Sequence, residues 1–335
     1  MEQGAAGGRQ AQVTGRIRSY LYHPDGTIEC GVSPERFRDA LANGQSLLWV
    51  DIENPEDAEI ELLLEVFEIH PLSVEDCIMP NVRPKIEDFE RYLFIILQGL
   101  QRVEGRLKPV ELDVCLGKNF LVTVRSERIK SIDDDCARVE KKSPIFKRGA
   151  DFLLYAVVDS LIDSYFPILE EVEARVDELE TKLLADSTQQ TVRELLGVYH
   201  ELMTLRRTLA PHREVLTRLN RGDLPFITPA NAVYFRDIYD HLLRMSDLVD
   251  SCREVTTMSL EAYATIVSNR LNEIMKTMTA FATLSLPVVI ITGIYGMNFS
   301  EHPELGPRWL YHLFSLGLLG SMPFMIFFFR KYRWL

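Results

Sequence analysis

Residues 277–300 read TMTAFATLSLPVVIITGIYGMNFS, and residues 309–329 read WLYHLFSLGLLGSMPFMIFFF. The first run is 24 residues without Asp, Glu, Lys or Arg, and the second is 21. Each is long enough to cross a hydrocarbon core of ~30 Å as a helix rising ~1.5 Å per residue. One such run is also what a buried core helix shows. Two of them, separated by eight residues, predict a membrane hairpin.

The flanks orient it. Arg270 and Lys276 precede the first span, and Arg330, Lys331 and Arg333 follow the second. The connection, residues 301–308, carries two acids and one base. Basic residues thus gather on the side that holds both termini, which places both in the cytosol. Trp309 and Trp334 stand where interfacial aromatic anchors belong.

Upstream, Thr228-Pro229 is a helix start, a hydroxyl cap followed by proline at the first helical position. Neither Gly nor Pro occurs from Ala230 through Leu286. Carried through Pro287 to Ile294, the predicted helix is 65 residues, or ~97 Å. At alternating intervals of three and four, one face reads Asn272, Met275, Thr279 (or Met278), Ala282, Leu286, Val289, Gly293, the seam of a helix bundle. Ordinary helix packing produces such a seam, and so does a pore lined by several copies of the helix. The second reading requires a homo-oligomer, because two spans per chain cannot enclose a pore. No carboxylate lies on the seam. That suits a divalent ion that keeps its water, as Mg²⁺ does, with a ring of Asn298 amides making weak outer-sphere contacts.

The rest of the chain divides in two. Residues 1–14 are polar and glycine-rich, have no signal-peptide core and are expected to be disordered. Residues 15–145 read as a cytosolic α/β domain, with strands at Ile17–Tyr22, Ser46–Asp51, Arg91–Leu100 and Val110–Val124, the last broken at Gly117-Lys118. A helix is expected at Pro55–Ile69. Residues 149–228 read as a long helical hairpin, Asp151–Leu184 and Gln189–Leu219, turning at Asp186-Ser187-Thr188. The predicted order then runs through a stalk helix entering the membrane (229–296, with the span at about 277–296), an external loop (297–308), a second span (309–329) and a basic tail (330–335). The fold class is therefore α+β with a membrane hairpin.

Composition narrows the function. A net charge of −12 argues against nucleic acid as partner and suits cations. The five cysteines are scattered, with no C-x-x-C pair, so neither a disulfide framework nor a zinc site is indicated. His200-Glu201-Leu202-Met203-Thr204 begins like a zinc-protease helix, but Thr204 stands where the second histidine is required. No nucleophile elbow, P-loop or dinucleotide fingerprint is present, so the chain is not read as an enzyme and no organic cofactor is expected. His70, followed by proline, reads as a structural loop histidine.

The pair of C-terminal spans, with Gly296-Met297-Asn298 ending the first, resembles the CorA family of magnesium and cobalt transporters. His70-Pro71-Leu72-Ser73-Val74-Glu75-Asp76, Arg83-Pro84-Lys85 and Tyr234-Phe235-Arg236-Asp237-Ile238-Tyr239-Asp240-His241 carry the same resemblance, which covers residues 15 to 335. It implies a funnel-shaped homopentamer in the inner membrane, with the long helix lining the pore. Gly296, Met297 and Asn298 would form the selectivity ring. Asn272, Met275, Met278, Ala282, Leu286, Val289 and Gly293 would line the pore, with Met275, Met278 and Leu286 as its constriction. Glu75, Asp76 and Asp237, with Asp159 or Asp163, would form inter-subunit sites that sense cytosolic Mg²⁺. Val289 stands where the family often has threonine, removing one polar ring. A transporter of Zn²⁺, Co²⁺ or Ni²⁺ and a non-conducting metal sensor are the competing expectations.

Overall fold

The computed structural model describes residues 16–79, 83–141, 144–185, 188–296 and 308–331. The expected disordered segment, most of the external loop, Met297, Asn298, the end of the basic tail and the Asp186-Ser187 turn lie outside them. The chain forms two compact units, residues 1–257 and 258–335.

The first unit is built on a seven-stranded sheet in the order β2-β1-β3-β7-β6-β5-β4. Its strands are β1 (Arg16–Tyr22), β2 (Ile28–Cys30), β3 (Leu47–Glu53), β4 (Lys85–Phe89), β5 (Tyr92–Val103), β6 (Arg106–Gly117) and β7 (Phe120–Arg125). Only β3 and β7 pair in parallel; every other pair is antiparallel. These two are the central strands, and both read as near-continuous apolar runs because helices cover both sheet faces. On one face Val50, Ile52, Phe94, Ile96, Val122 and Val124 pack under α1 (Phe37–Asn43), α2 (Asp57–Glu65) and α3 (Pro71–Ile78). The alternate residues face α4 (Lys130–Glu140), α5 (Ala150–Asp163) and α7 (Gln189–Arg221). The expected break at Gly117-Lys118 is the β6–β7 turn. A Cβ on Gly117 would meet the Phe120 ring at 2.1 Å, so only glycine lets that ring fold over the turn.

The four expected strands are present, while β2, β4, α1, α3 and α4 were not foreseen. One expectation is corrected. Asp151–Leu184 is not a single helix but α5 and α6 (Phe166–Ala185), broken at Ser164-Tyr165. Pro167 explains the break: it has no N–H to continue the ladder, and its ring opposes the carbonyl of Asp163. Tyr165 fixes it by donating its hydroxyl to the Gln98 carbonyl from a fully buried position. Helix α7 begins at its cap, where Thr188 Oγ1 accepts the Thr191 N–H at 3.2 Å. It packs α6 on one side and strands β4, β5 and β6 on the other.

A buried ionic cluster ties α4 to the central strands. Arg125, fully enclosed, reaches Asp51 at 3.2 Å, Glu53 at 3.0 Å and Asp133 at 2.8 Å. Arg18 joins Asp51 and Asp133, each at 2.7 Å. Thr123 donates to Asp51 at 2.8 Å and receives the Trp49 indole N–H at 3.2 Å. Burial opposes ionisation of Asp133, but Arg128, Arg18 and Arg125 outweigh it and hold its carboxyl at about 2. Such a cluster is worth little against apolar packing, yet it is costly to break by removing one member.

Helix α8 runs from Pro229 to Tyr295, and α9 from Arg308 to Lys331. The first starts at the proline anticipated from Thr228-Pro229. Asp151 fixes that start by accepting the Thr228 N–H at 2.9 Å and its hydroxyl at 2.6 Å. By length and composition, Pro229–Ile294 qualifies as a membrane span and is 11% buried in its apolar window. Ala150–Leu183 passes the same test at 44% buried, but Leu154, Val157, Val158, Leu161 and Ile162 are wholly enclosed, so it is core.

Candidate functional site

Three of the five expected cation-sensing carboxylates come together. Asp159 and Asp163 are one turn apart on α5, and Asp237 lies on α8. His241, one turn beyond Asp237, stands between them, its Nδ1 3.7 Å from Asp163 and its Nε2 3.8 Å from Asp237. The ring also packs edge-on against Phe166 at 5.9 Å. Tyr155 stands one turn before Asp159 on the same helix. Burial raises the Asp159 carboxyl above the usual range, and Asp163 and Asp237 add to this while His241 opposes it. Burial and the charges of Asp159 and Asp237 likewise push Tyr155 up to about 12. The group is a partly solvated concentration of negative charge with a single imidazole inside it.

Its position follows from the aromatic packing at the start of α8. Tyr234 and Phe235 meet Phe152 and Tyr155 of α5, and Arg148 lies over the Phe152 and Tyr234 rings at 4.7 and 5.1 Å. These contacts set α8 against α5, with Asp237 beside Asp159 and Asp163.

Glu75 and Asp76 lie elsewhere, on α3. His70 caps that helix, its Nδ1 accepting the Leu72 N–H at 3.2 Å, so its structural reading holds. Asp76 is already matched by Lys85 at 2.8 Å, and Lys85 also meets Glu87 at 3.1 Å. Burial works against the Lys85 ammonium, but the two carboxylates outweigh it and raise its pKa. A cation at Asp76 must therefore compete with Lys85. Glu75 is exposed beside Pro71, Val74 and Ile78. Among the described residues of one chain, no three His, Cys, Asp or Glu side chains converge closely enough to hold a metal ion.

The stripe of α8 is continuous helix. Asn272, Met275, Met278, Ala282, Leu286, Val289 and Gly293 are all exposed in the single chain, Met275 at 65% and Met278 at 70%. Phe281, Ile274 and Ile290, off the stripe, are exposed as well. Such an apolar helix is stable only against lipid or other helices. At its end the Gly296 N–H donates to the Thr292 carbonyl at 2.9 Å. A Cβ on Gly296 would approach that same oxygen to 2.9 Å, so this position requires glycine. Gly293 has open space around it.

Sequence reasoning did not single out His241, Tyr155 or Lys85. The signal for His241 was its spacing of four from Asp237, which puts both on one helix face. Tyr155 stands four residues before Asp159 on α5, the same spacing, while Lys85 gave none, since it meets Asp76 through packing between different elements.

The fold and site define a class: a membrane protein with a helix-covered α/β domain, acidic at its helical face, and a long helix ending in an uncharged span. Residues 44–331 match the family described as CorA-like Mg²⁺ transporter protein. The cobalt/magnesium transport protein CorA of Thermotoga maritima is 36% identical over 292 residues, 86% of this chain and 83% of that one. Its namesake from Methanocaldococcus jannaschii is 30% identical over 292 residues, 86% and 92% of the two chains. The complete structure of the CorA magnesium transporter from M. jannaschii superposes with a TM-score of 0.80 at 28% identity, covering 95% of this chain and 98% of the other. The chain belongs to the CorA family of metal-ion transporters, which are membrane proteins rather than enzymes.

Proposed function

We propose that this chain is one subunit of a homopentameric channel that admits Mg²⁺, and Co²⁺ as a secondary substrate, across the inner membrane. The observation that carries the reading is the uncharged, exposed stripe from Asn272 to Gly293 on a helix that runs without interruption to Tyr295. Five copies of that stripe would enclose a path. Met275, Met278 and Leu286 would be its constriction, and Gly296, Met297 and Asn298 its mouth. Both termini would lie in the cytosol. An uncharged mouth selects by geometry and hydration, and its weak contacts let the ion leave. Inward movement of a divalent ion at 100 mV releases about 4.6 kcal/mol, so passive conduction suffices.

Gating would lie in the cytosolic carboxylates. Asp159, Asp163 and Asp237 concentrate negative charge on each subunit, and Glu75 and Asp76 of a second copy would complete the cation's shell. Bound Mg²⁺ would hold the subunits closed, and its loss at low cytosolic Mg²⁺ would shift the population toward an open constriction. The same helix carries Asp237 and the stripe, which gives the two a direct mechanical link. Reconstitution in liposomes tests the reading: wild-type protein should take up Mg²⁺ down its gradient, and Asn298→Ala should abolish uptake. No uptake by wild-type protein would leave a non-conducting sensor.

A further inference from the structure

Ser131 and Asp135 stand one turn apart on the face of α4 that packs against α5. Both are enclosed, at 6% and 2% exposure. Asp135 Oδ1 accepts from Ser160 Oγ at 2.7 Å and from Arg138 Nη1 at 3.2 Å. Asp135 Oδ2 and Ser131 Oγ meet no partner. A carboxylate is poorly served by such a place, because one oxygen loses its water and gains nothing in return. The neutral acid loses much less. Burial accordingly pushes Asp135 up to about 7; the Ser160 hydroxyl and Arg138 oppose the rise, and Asp134 and Asp159 add to it.

The site is not sealed from solvent. A cavity of about 960 Å³ opens beside it, lined by Ser131, Asp134, Arg138, Asp159, Ser160 and Asp163. Arg102 from β5, Arg128 from the β7–α4 connection and Lys130 at the start of α4 also face this cavity. Water and protons thus have a route to the α4–α5 contact. Ser160, which grips Asp135, is the residue next to Asp159.

We propose that Asp135 is a proton-responsive latch between α4 and α5 whose charge sets how strongly the Asp159–Asp163–Asp237 group attracts a divalent cation. The proposal rests on the regulatory reading of that group given above. At acidic cytosolic pH Asp135 is neutral, and the group carries only its own charge. As pH rises, Asp135 ionises, adds a negative charge behind α5, and draws water into the contact. The cation is then bound more tightly, and less internal Mg²⁺ closes the channel. A single added charge at this range alters divalent affinity by about three- to tenfold.

The test is inhibition of Mg²⁺ uptake by Mg²⁺ on the cytosolic side, measured at pH 6, 7 and 8 in proteoliposomes of wild-type, Asp135→Asn and Ser160→Ala protein. Any pH dependence of the Asp159–Asp163–Asp237 group itself is shared by all three proteins, so the readout is the difference between them. The half-inhibiting concentration of wild type should fall about three- to tenfold further than that of Asp135→Asn between pH 6 and 8. Ser160→Ala, which keeps the carboxyl but removes its donor, should move the midpoint to higher pH and covers the case that Asp135→Asn does not fold. An Asp135→Asn curve that follows wild type at every pH overturns the latch while leaving the regulatory site intact. Absence of inhibition at any pH would instead defeat the regulatory reading. The carboxyl infrared band lost in Asp135→Asn would then judge the residue itself, a midpoint near 7 supporting its titration and one below 5 overturning it.

Discussion

Acidification should unfasten the seven-stranded sheet through one side chain. His212 lies wholly buried on α7, its Nδ1–H donating to the Thr208 carbonyl at 2.6 Å and its Nε2 accepting the Gln98 N–H of β5 at 3.1 Å. Only the neutral ring with its proton on Nδ1 satisfies both bonds. A second proton would point Nε2–H at another N–H and leave a charge in the core. Burial therefore lowers His212 to about 4, against only a weak opposing effect from the Thr208 bond. In the unfolded chain the ring titrates at 6.5, so between these values the unfolded state binds the extra proton and the folded state does not. Stability is full above 6.5 and is lost as pH falls toward 4. At ~1.4 kcal/mol per pH unit the full loss is about 3 kcal/mol, most of it gone by pH 4.5. The buried carboxyl of Asp135 has the opposite sign, because a raised folded pKa favours the folded state on acidification. The effect of His212 must therefore be isolated by variant. Urea unfolding of the detergent-solubilised protein, followed by the emission of buried Trp49, should show His212→Gln less stable than wild type at pH 7.5. That gap should shrink by about 2.5 kcal/mol at pH 4.5. A gap that is constant with pH would refute the buried neutral imidazole.

Further outcomes follow from other parts of the molecule. Arg125→Leu removes the shared partner of Asp51, Glu53 and Asp133, and should lower stability by about 3–5 kcal/mol in the same urea assay. Gly296→Ala forces a Cβ onto the Thr292 carbonyl and should cut Mg²⁺ uptake at least tenfold, while Gly293→Ala meets nothing within its own chain and should alter uptake only through neighbouring copies. Asp237→Asn should leave uptake insensitive to cytosolic Mg²⁺ in flux assays. Retained full inhibition would remove Asp237 from the proposed site.

Much of the fold was legible because its signals are local. A 24-residue uncharged run, a Thr-Pro helix start and a Gly-Lys turn each declare themselves within a few residues. The misses came where packing decides. Helix α4 shows only a short apolar face, Ile132, Cys136 and Val139, within a charged stretch, and its Asp133 and Asp135 are drawn inward by Arg125 and Ser160, 8 and 25 residues away in sequence. The α5–α6 break hid inside an unbroken apolar pattern, where Pro167 was the sole local sign. At the candidate site, Asp237 and the Asp159–Asp163 pair were named from family resemblance. Their meeting around His241 depends on α8 docking against α5 through Tyr234 and Phe235. Lys85 beside Asp76 was equally invisible, being set by the register of β4 against β5.

The central claim is that one face of α8 lines the ion path, and cysteine accessibility tests it most directly. Single Val289→Cys and Val288→Cys proteins, with the native cysteines replaced, would be treated with a charged, membrane-impermeant thiol reagent during Mg²⁺ uptake into liposomes. The account predicts that modification at 289 blocks uptake and that position 288, one residue around the helix, is unaffected. Block at 288 with none at 289 would contradict it.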